Sequence, residues 1–258
     1  MIALTYHDVV SEGAEGSSGF PGVDAARYKI TPVRFRAHLA ALLRAAWLRA
    51  CGLPVAMTFD DGGSSGMWAG DELERHGLRG YFFITTNYIG SSGFLTADQI
   101  RQLAARGHVI GSHSRSHPLR MGHASRSRIL EEWSTSRDVL AQIIGRAVTI
   151  GSVPGGDFSR PVALAAAEAG YRYLLTSEPT QHTWRIGGIT VSGRFTVHRW
   201  TSAATVCAAA RGAWAPWSSQ ALVWSLKKIG KCLGGEGYLR ARKVLLRHGN
   251  EVRWGDQP

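Results

Sequence analysis

Two adjacent carboxylates are the first residues whose type and spacing could do chemistry. Asp60 and Asp61 directly follow the apolar segment 54–59 (PVAMTF), which predicts a strand covered on both faces. Neighbouring side chains on a regular strand point to opposite faces, so both carboxylates can turn towards one centre only where the strand ends. Gly62 and Gly63 are predicted to supply that break. Because two carboxylates this close repel each other, a cation or a shared proton is expected beside them.

Two histidines with metal-ligand spacing form a second candidate. His113 and His117 follow another short apolar segment, and Pro118 disfavours helix at the residue before it, so the pair is predicted on a tight turn. Two imidazoles plus one carboxylate bind zinc or a similar divalent ion and leave positions open for water. With Asp61 and the two histidines as ligands, Asp60 is left as a base.

Such a centre suits hydrolysis. A bound divalent ion lowers the pKa of water from ~15.7 to about 7 and polarises a carbonyl. Hydrolysis then needs a base for the water and an acid for the leaving group, and a histidine could protonate a departing amine. Any one of these polar clusters could also be an ordinary turn.

Short apolar runs alternate with segments of helical period along the chain. Strands are predicted over 3–6, 54–59, 81–84, 108–111, 148–153, 171–175 and 194–197, and helices over 71–76, 96–106, 129–144 and 161–169, with a further helix opening at 31–32. Alternation of this kind implies parallel strands joined by crossover helices. The predicted fold is α/β, a distorted, incomplete (β/α) barrel of about seven parallel strands, with an open doubly wound sheet as the rival.

Polar residues follow four of the predicted strands, at 6–8, 60–62, 113–117 and 154–157. In both architectures the reacting groups lie just past the carboxyl ends of the strands. Four polar strand ends on one rim therefore favour a functional site over four unrelated turns.

The motif T-F-D-D-G (58–62), followed at a similar spacing by S-H-S-R-S-H-P (112–118), resembles the polysaccharide deacetylases of carbohydrate esterase family 4. The segment F-F-I (82–84) between them is also similar to that family. The resemblance covers roughly residues 1–200, and the first two motifs are specific only in combination. It implies a distorted (β/α) barrel, a divalent metal, of which zinc is the expected one, and removal of acetyl groups from N-acetylated sugars.

The resemblance also implies roles for individual residues. Asp60 matches the catalytic base, whereas Asp61, His113 and His117 match the metal ligands. The segment 153–156 (V-P-G-G) is similar to the family's third motif, in which a backbone N–H helps to hold the developing oxyanion, and Gly155 is the matching position.

Two departures from the family pattern are visible. Ser152 replaces the arginine that usually steadies the base, and the family's later Asp/Trp motif is not recognisable in 176–181. Both departures bear on the ionisation of Asp60 as a base and on the substrate preference of the protein. Arg194, on the strand before His198, is a candidate replacement for the missing arginine.

The general acid has two candidates. Many family members use a histidine on a late strand, and His198 matches that position. The start 4–9 (L-T-Y-H-D-V) is, however, similar to a rearranged subgroup that acts on poly-N-acetylglucosamine, in which a Tyr-His element near the N-terminus supplies the acid. His7 is therefore the first choice and His198 the second.

Charge is distributed unevenly in the 258 residues. The net charge is +11, and the segment 199–258 contributes ten Lys and Arg against three acids. We predict a barrel over 1–200 and a basic, aromatic, helical C-terminal extension over 201–258. Aromatic residues beside basic ones suit an anionic membrane interface, although the same helices could pack against the barrel with their charges solvated.

Composition limits the classes of protein to which this chain could belong. The apolar fraction of 44% excludes a disordered chain and a collagen-like chain. The three cysteines lie far apart and no charged, long apolar leader is visible, so a cytoplasmic protein, peripheral at the inner membrane, is expected. The expected substrate is an N-acetylated glycan or a lipid-linked sugar. The alternatives are an O-acetyl sugar esterase and a non-catalytic glycan-binding module, while the absence of nucleic-acid motifs argues against a nucleic-acid partner.

Overall fold

The computed structural model describes residues 2–45 and 55–226, which form a single curled sheet with helices packed on it. The nine strands have the order β7-β8-β6-β5-β4-β3-β2-β1-β9. They are β1 (Ile2–Tyr6), β2 (Val55–Phe59), β3 (Gly80–Ile84), β4 (Val109–Ser112), β5 (Ile150–Ser152), β6 (Tyr173–Leu175), β7 (Thr183–Ile186), β8 (Ile189–Ser192) and β9 (Phe195–Thr196). Every neighbouring pair is parallel except β7 with β8. The sheet is a distorted, incomplete (β/α) barrel, as predicted.

Two strands were not predicted. A hairpin joins β7 to β8 through Gly187 and Gly188, whose φ values of 53° and 87° are the left-handed conformations that a two-residue hairpin turn requires. β7 has no buried residue, so it lacks the apolar run by which the other strands are recognised. The predicted number of about seven strands was therefore too low by the two strands of this hairpin.

The helices are α1 (Val23–Ala26), α2 (Pro32–Arg44), α3 (Gly66–Glu74), α4 (Ala97–Ala105), α5 (Arg126–Ile144), α6 (Arg160–Glu168) and α7 (Ala203–Ala210), followed by a helix over 214–226. The side chains of Thr31, Thr96, Ser125 and Ser159 each accept a hydrogen bond from the first turn of the helix that follows, which fixes where that helix begins. Helix α3 starts five residues before the predicted segment 71–76, since the turn after Asp61 runs directly into it.

Aromatic side chains fill the core beneath the first strands. The Phe59 ring stacks on Phe82 with 4.9 Å between centroids, and Tyr6 lies 5.6 Å from Phe59 and 5.4 Å from Phe35 of α2. All four are at most 3% exposed. This row of rings attaches α2 to the neighbouring strands β1, β2 and β3, and the first two of these strands carry candidate site residues at their carboxyl ends.

Residues beyond 200 pack on the barrel as far as the structure describes them. Trp217 is 5% exposed and lies edge-on to Phe195, and its Nε1 donates to the Ala209 carbonyl. Gln220 accepts from the Thr196 N–H and donates to the Thr196 carbonyl, both at 2.8 Å, along the outer side of β9. The predicted extension continues over 227–258, outside the described residues, so its boundary and its membrane contact stay predictions.

A search of residues 2–45 and 55–226 for a membrane span finds no helix with the length and hydrophobicity that crossing a bilayer requires.

A buried histidine makes the stability of this fold depend on pH. Tyr6 Oη donates to His38 Nδ1 at 3.3 Å, and His38 Nε2 donates to the Thr201 carbonyl at 3.0 Å, so the imidazole is neutral. Burial lowers the pKa of His38 to about 4. An unfolded histidine titrates near ~6.5. Stability that is present above this pH is therefore lost as the pH falls towards 4, because the unfolded chain takes up the proton first.

We predict that His38→Gln removes about 3 kcal/mol of this pH dependence, since the amide keeps hydrogen-bonding capacity but does not titrate. Urea denaturation at pH 7.5 and pH 4.5 should show a smaller difference in the free energy of unfolding for the variant than for the parent chain. An equal difference in both proteins would contradict the prediction.

Candidate metal centre and catalytic site

Parallel strand pairing brings the candidate site residues together. Tyr6 pairs with Phe59, so His7 and Asp60 leave adjacent strands at the same level, and the Asp60 N–H donates to the Tyr6 carbonyl at 3.0 Å. Ser112 pairs with Gly151 in the same way, which places His113 next to the end of β5. The polar segments predicted at strand ends therefore meet at one edge of the barrel.

A left-handed turn at Asp61 sets the directions of the two carboxylates. Asp61 has φ 77° and Gly62 has φ 84°, so the strand breaks at Asp61 itself, one residue before the predicted position. Both carboxylates are buried, with Asp60 3% and Asp61 7% exposed. Left-handed backbone at a residue other than glycine carries strain and is concentrated at functional sites. Here it directs two consecutive side chains into one buried region.

Asp61, His113 and His117 form the candidate metal centre. Asp61 Oδ1 lies 3.3 Å from His113 Nε2 and 3.6 Å from His117 Nε2, and one ligand atom from each residue falls within 4.8 Å of the others. These separations suit atoms that share one ion at about 2.0–2.2 Å from each. A carboxylate and two imidazoles fit a divalent cation such as zinc.

The protonation of Asp61 and His117 agrees with that fit. Burial lowers the pKa of His117 to about 4, which keeps its imidazole in the neutral form that binds metals. Burial opposes ionisation of Asp61, yet the hydrogen bond from His113 and the charges of the nearby histidines lower the pKa of Asp61 well below its usual value. Burial opposes a charge on His113, but Asp60 and Asp61 outweigh burial and raise the pKa of His113, so a bound cation would displace a proton from this imidazole. His113 Nδ1 donates to the Ser152 carbonyl at 2.9 Å, which turns Nε2 towards Asp61.

A buried glutamate of α5 shapes the loop that carries the two histidines. Glu132 is 0% exposed, and its carboxylate accepts from the Ser116 N–H at 2.8 Å and from Ser116 Oγ at 2.6 Å. The loop turns through left-handed conformations at Ser114 (φ 65°) and His117 (φ 56°). Glu132 thus holds the chain directly before His117 in this conformation.

We predict that Glu132→Ala weakens zinc binding by about 10- to 100-fold, the range typical when a residue supporting a ligand is removed. Isothermal titration calorimetry with zinc measures this effect. Asp138→Ala is the matched control, because Asp138 is exposed on the same helix and bonds only to its neighbour Arg137 among the described residues. Equal affinities for the two variants would contradict the role of Glu132.

Arg194 neutralises the second carboxylate. Its Nη1 and Nη2 donate to Asp60 Oδ1 and Oδ2, both at 2.8 Å, and its guanidinium is 0% exposed. Further bonds run from Nη2 to Ser152 Oγ (2.7 Å) and from Nη1 to Thr58 Oγ1 (3.0 Å), while Ser152 Oγ donates to Asp60 Oδ2 (3.0 Å). The hypothesis that Arg194 replaces the arginine missing at position 152 is confirmed in its geometry.

The arginine determines the ionisation of Asp60. Burial alone would raise the pKa of this carboxyl, but Arg194 first and His113 next outweigh burial and hold the pKa below its usual value. Asp60 is therefore a carboxylate near neutral pH and can accept a proton.

We predict that Arg194→Met destabilises the fold by about 3–5 kcal/mol, because it leaves the Asp60 charge buried without a partner. The double variant with Asp60→Asn should recover part of the loss in chemical denaturation. Arg126→Met is the control, since its ion pair with Glu168 is exposed and is expected to contribute little. A single variant as stable as the control would contradict the prediction.

The two candidate acids occupy different places. His7 is close enough to the carboxylates for its charge to lower the pKa of both Asp60 and Asp61, and its buried Nδ1 has no hydrogen-bond partner among the described residues. The Tyr28 ring lies against His7 (4.8 Å between centroids) on one side and His198 (5.2 Å) on the other. His198 in turn stacks on Trp200. This arrangement favours His7, and the assignment of the acid stays a prediction.

Gly155 lies in the short 3-10 turn Pro154–Gly156, which directly follows β5. Its φ of 57° requires left-handed backbone, which glycine adopts without strain. The residue is exposed at the rim, three positions after Ser152 of the Asp60 cluster. Its role as an oxyanion donor stays a prediction.

Sequence reasoning missed the residues that hold the loop 11–22 over the metal centre. Lys29 is 4% exposed and donates from Nζ to the carbonyls of Glu15, Ser18 and Phe20, and it lies 3.7 Å from the buried Asp8 carboxylate. The Phe20 ring then packs against the candidate ligand His117 at 4.8 Å. Lys29 stands in the mixed segment 23–30 (V-D-A-A-R-Y-K-I), which carries no signal for its burial, and its carbonyl partners cannot be read from the sequence.

Comparison with known proteins agrees with this geometry. Residues 51–174 match the family model described as polysaccharide deacetylase. A 66-residue segment is 39% identical to the peptidoglycan-N-acetylglucosamine deacetylase PgdA of Listeria monocytogenes, covering 25% of this chain and 13% of that protein. A protein of Geobacillus stearothermophilus without an assigned function is 29% identical over 126 residues, covering 48% of this chain and 46% of its own length. These matches support a polysaccharide deacetylase domain.

Solved structures extend this likeness to more of the chain, at the level of the fold. A polysaccharide deacetylase from Bacillus cereus superposes with a TM-score of 0.67 at 18% identity, covering 81% of this chain and 68% of that one. IcaB from Ammonifex degensii superposes with a TM-score of 0.64 at 21% identity, covering 81% and 96%. The chain spans less than half the length of the first curated relatives that it matches.

Proposed function

We propose that this protein is a metal-dependent hydrolase that removes N-acetyl groups from amino-sugar units of a glycan or glycolipid. The observation that carries the proposal is the grouping of Asp61, His113 and His117 beside Asp60, whose charge is compensated separately by Arg194. One carboxylate is thus available to a cation and the other to a proton.

The roles of the chain's own groups follow from their positions. Asp61 and the two histidines would hold a divalent cation, which would acidify a water molecule and polarise the acetyl carbonyl. Asp60, kept ionised by Arg194, accepts the proton of the attacking water. The Gly155 N–H donates to the oxyanion, and His7 gives a proton to the departing amine.

N-acetyl sugars are preferred over O-acetyl esters on two grounds. An amide needs protonation of its leaving amine, and His7 lies where it can provide this proton, whereas an ester depends less on such an acid. The Listeria relative is named as an enzyme of N-acetylglucosamine. The Tyr6-His7 element agrees with the subgroup that acts on poly-N-acetylglucosamine, so a polymer of this sugar is the first substrate to test.

We predict that the chain releases acetate from N-acetylglucosamine oligomers, that a chelator abolishes the release, and that added zinc restores it. His7→Ala should lower kcat on the amide by about 10²- to 10⁴-fold, the usual contribution of a general acid, and less on an O-acetyl ester. Enzymatic detection of acetate measures both substrates.

The matched control is His198→Ala, which should lower kcat on the amide far less than His7→Ala. The reverse order would assign the acid to His198. Release from the ester alone would favour the O-acetyl esterase. Zinc binding and glycan binding without release from either substrate would favour the non-catalytic module.

A further inference from the structure

An aromatic column leads from the candidate site to the surface. His7, Tyr28, His198 and Trp200 contact one another in this order, with ring centroids 4.8, 5.2 and 4.9 Å apart. The first ring of this column lies beside the catalytic carboxylates, and the last one lies on the outside of the barrel. The proposed chemistry uses His7 and leaves the rest of the column without an assigned role.

Trp200 is exposed but held in place. His198 stacks on its ring with an interplanar angle of only 14°, and the Arg27 guanidinium lies 5.4 Å from its centroid. The Arg199 N–H donates to the Arg27 carbonyl at 2.9 Å, which fixes the two chain segments to each other. With both neighbours in place, 56% of Trp200 is still exposed. A ring fixed in advance loses little conformational entropy when a ligand stacks on it.

A polar groove adjoins this ring. It encloses about 350 Å³, and its lining includes Trp200, Glu12, Glu15, Arg34 and Arg199. Glu15 pairs with Arg199 at 3.5 Å, and Arg34 donates to the Thr201 carbonyl at 3.2 Å. Carboxylates accept hydrogen bonds and guanidinium groups donate them. A lining with charges of both signs therefore suits a neutral molecule whose hydroxyls both donate and accept.

We propose that Trp200 and this groove form a subsite for a sugar ring of the glycan other than the one that loses its acetyl group. The pyranose packs against the exposed part of Trp200, and its hydroxyls bond to the charged side chains of the groove. A lipid tail would need an apolar lining, and a polyanion would meet Glu12 and Glu15. This inference rests on the proposed glycan substrate and predicts that the protein prefers oligomers to single sugars.

Binding without turnover tests the subsite independently of catalysis. Calorimetry of the chelator-treated full chain with a pentamer of N-acetylglucosamine should give an affinity that falls about tenfold in Trp200→Ala. Trp200→Phe keeps an aromatic platform and should retain most of the affinity. Trp214→Ala is the control, because Trp214 is 80% exposed and lies outside the column; it should bind as the parent chain does.

Kinetics give the second readout. The ratio of kcat/KM for the pentamer to kcat/KM for the dimer should fall about tenfold in Trp200→Ala, through KM. An unchanged ratio, a pentamer that the parent chain does not bind, or equal pentamer affinities for Trp200→Ala and Trp214→Ala would overturn the subsite. If the parent chain binds the pentamer through Trp200 but releases no acetate, the subsite is supported while the proposed deacetylation fails.

Discussion

The constraint on which the rest depends is the burial of two carboxylates on consecutive residues. Two buried carboxylates on consecutive residues repel each other, so both charges need compensation from nearby groups. The structure resolves this by a left-handed backbone at Asp61, which sends one carboxylate to Arg194 and the other to two imidazoles. The strand ends, the histidine loop and the arginine are arranged around this division of charge.

The position of the arginine shows how the same electrostatic requirement can be met from a different part of the chain. Ser152 occupies the place where the resembling family has an arginine, and its small side chain leaves room for a guanidinium that arrives from the segment between β8 and β9. The Ser152 hydroxyl joins the network by bonding to both partners. The charge beside Asp60 is thus retained although the residue that usually provides it is absent.

Much of the fold and of the site could be predicted from the sequence, because the signals are local. Apolar runs mark the buried strands, and parallel pairing then brings the residues after β1, β2 and β4 to one edge. Position 61 escaped prediction because the break was expected at the glycines, whereas aspartate itself adopts the left-handed turn. The contacts of Lys29 with three carbonyls and of Phe20 with His117 depend on a folded loop, and no periodicity encodes them.

Gln220 bonds to the edge strand of the open barrel and so affects whether the sheet can pair with another chain. Within the described residues no strand pairs with the outer side of β9, and free strand margins are templates for joining another chain. The amide side chain of Gln220 offers Thr196 one acceptor and one donor, as a neighbouring peptide would. A single side chain thus imitates a further strand, and at this position it satisfies the groups that a second molecule would need to extend the sheet.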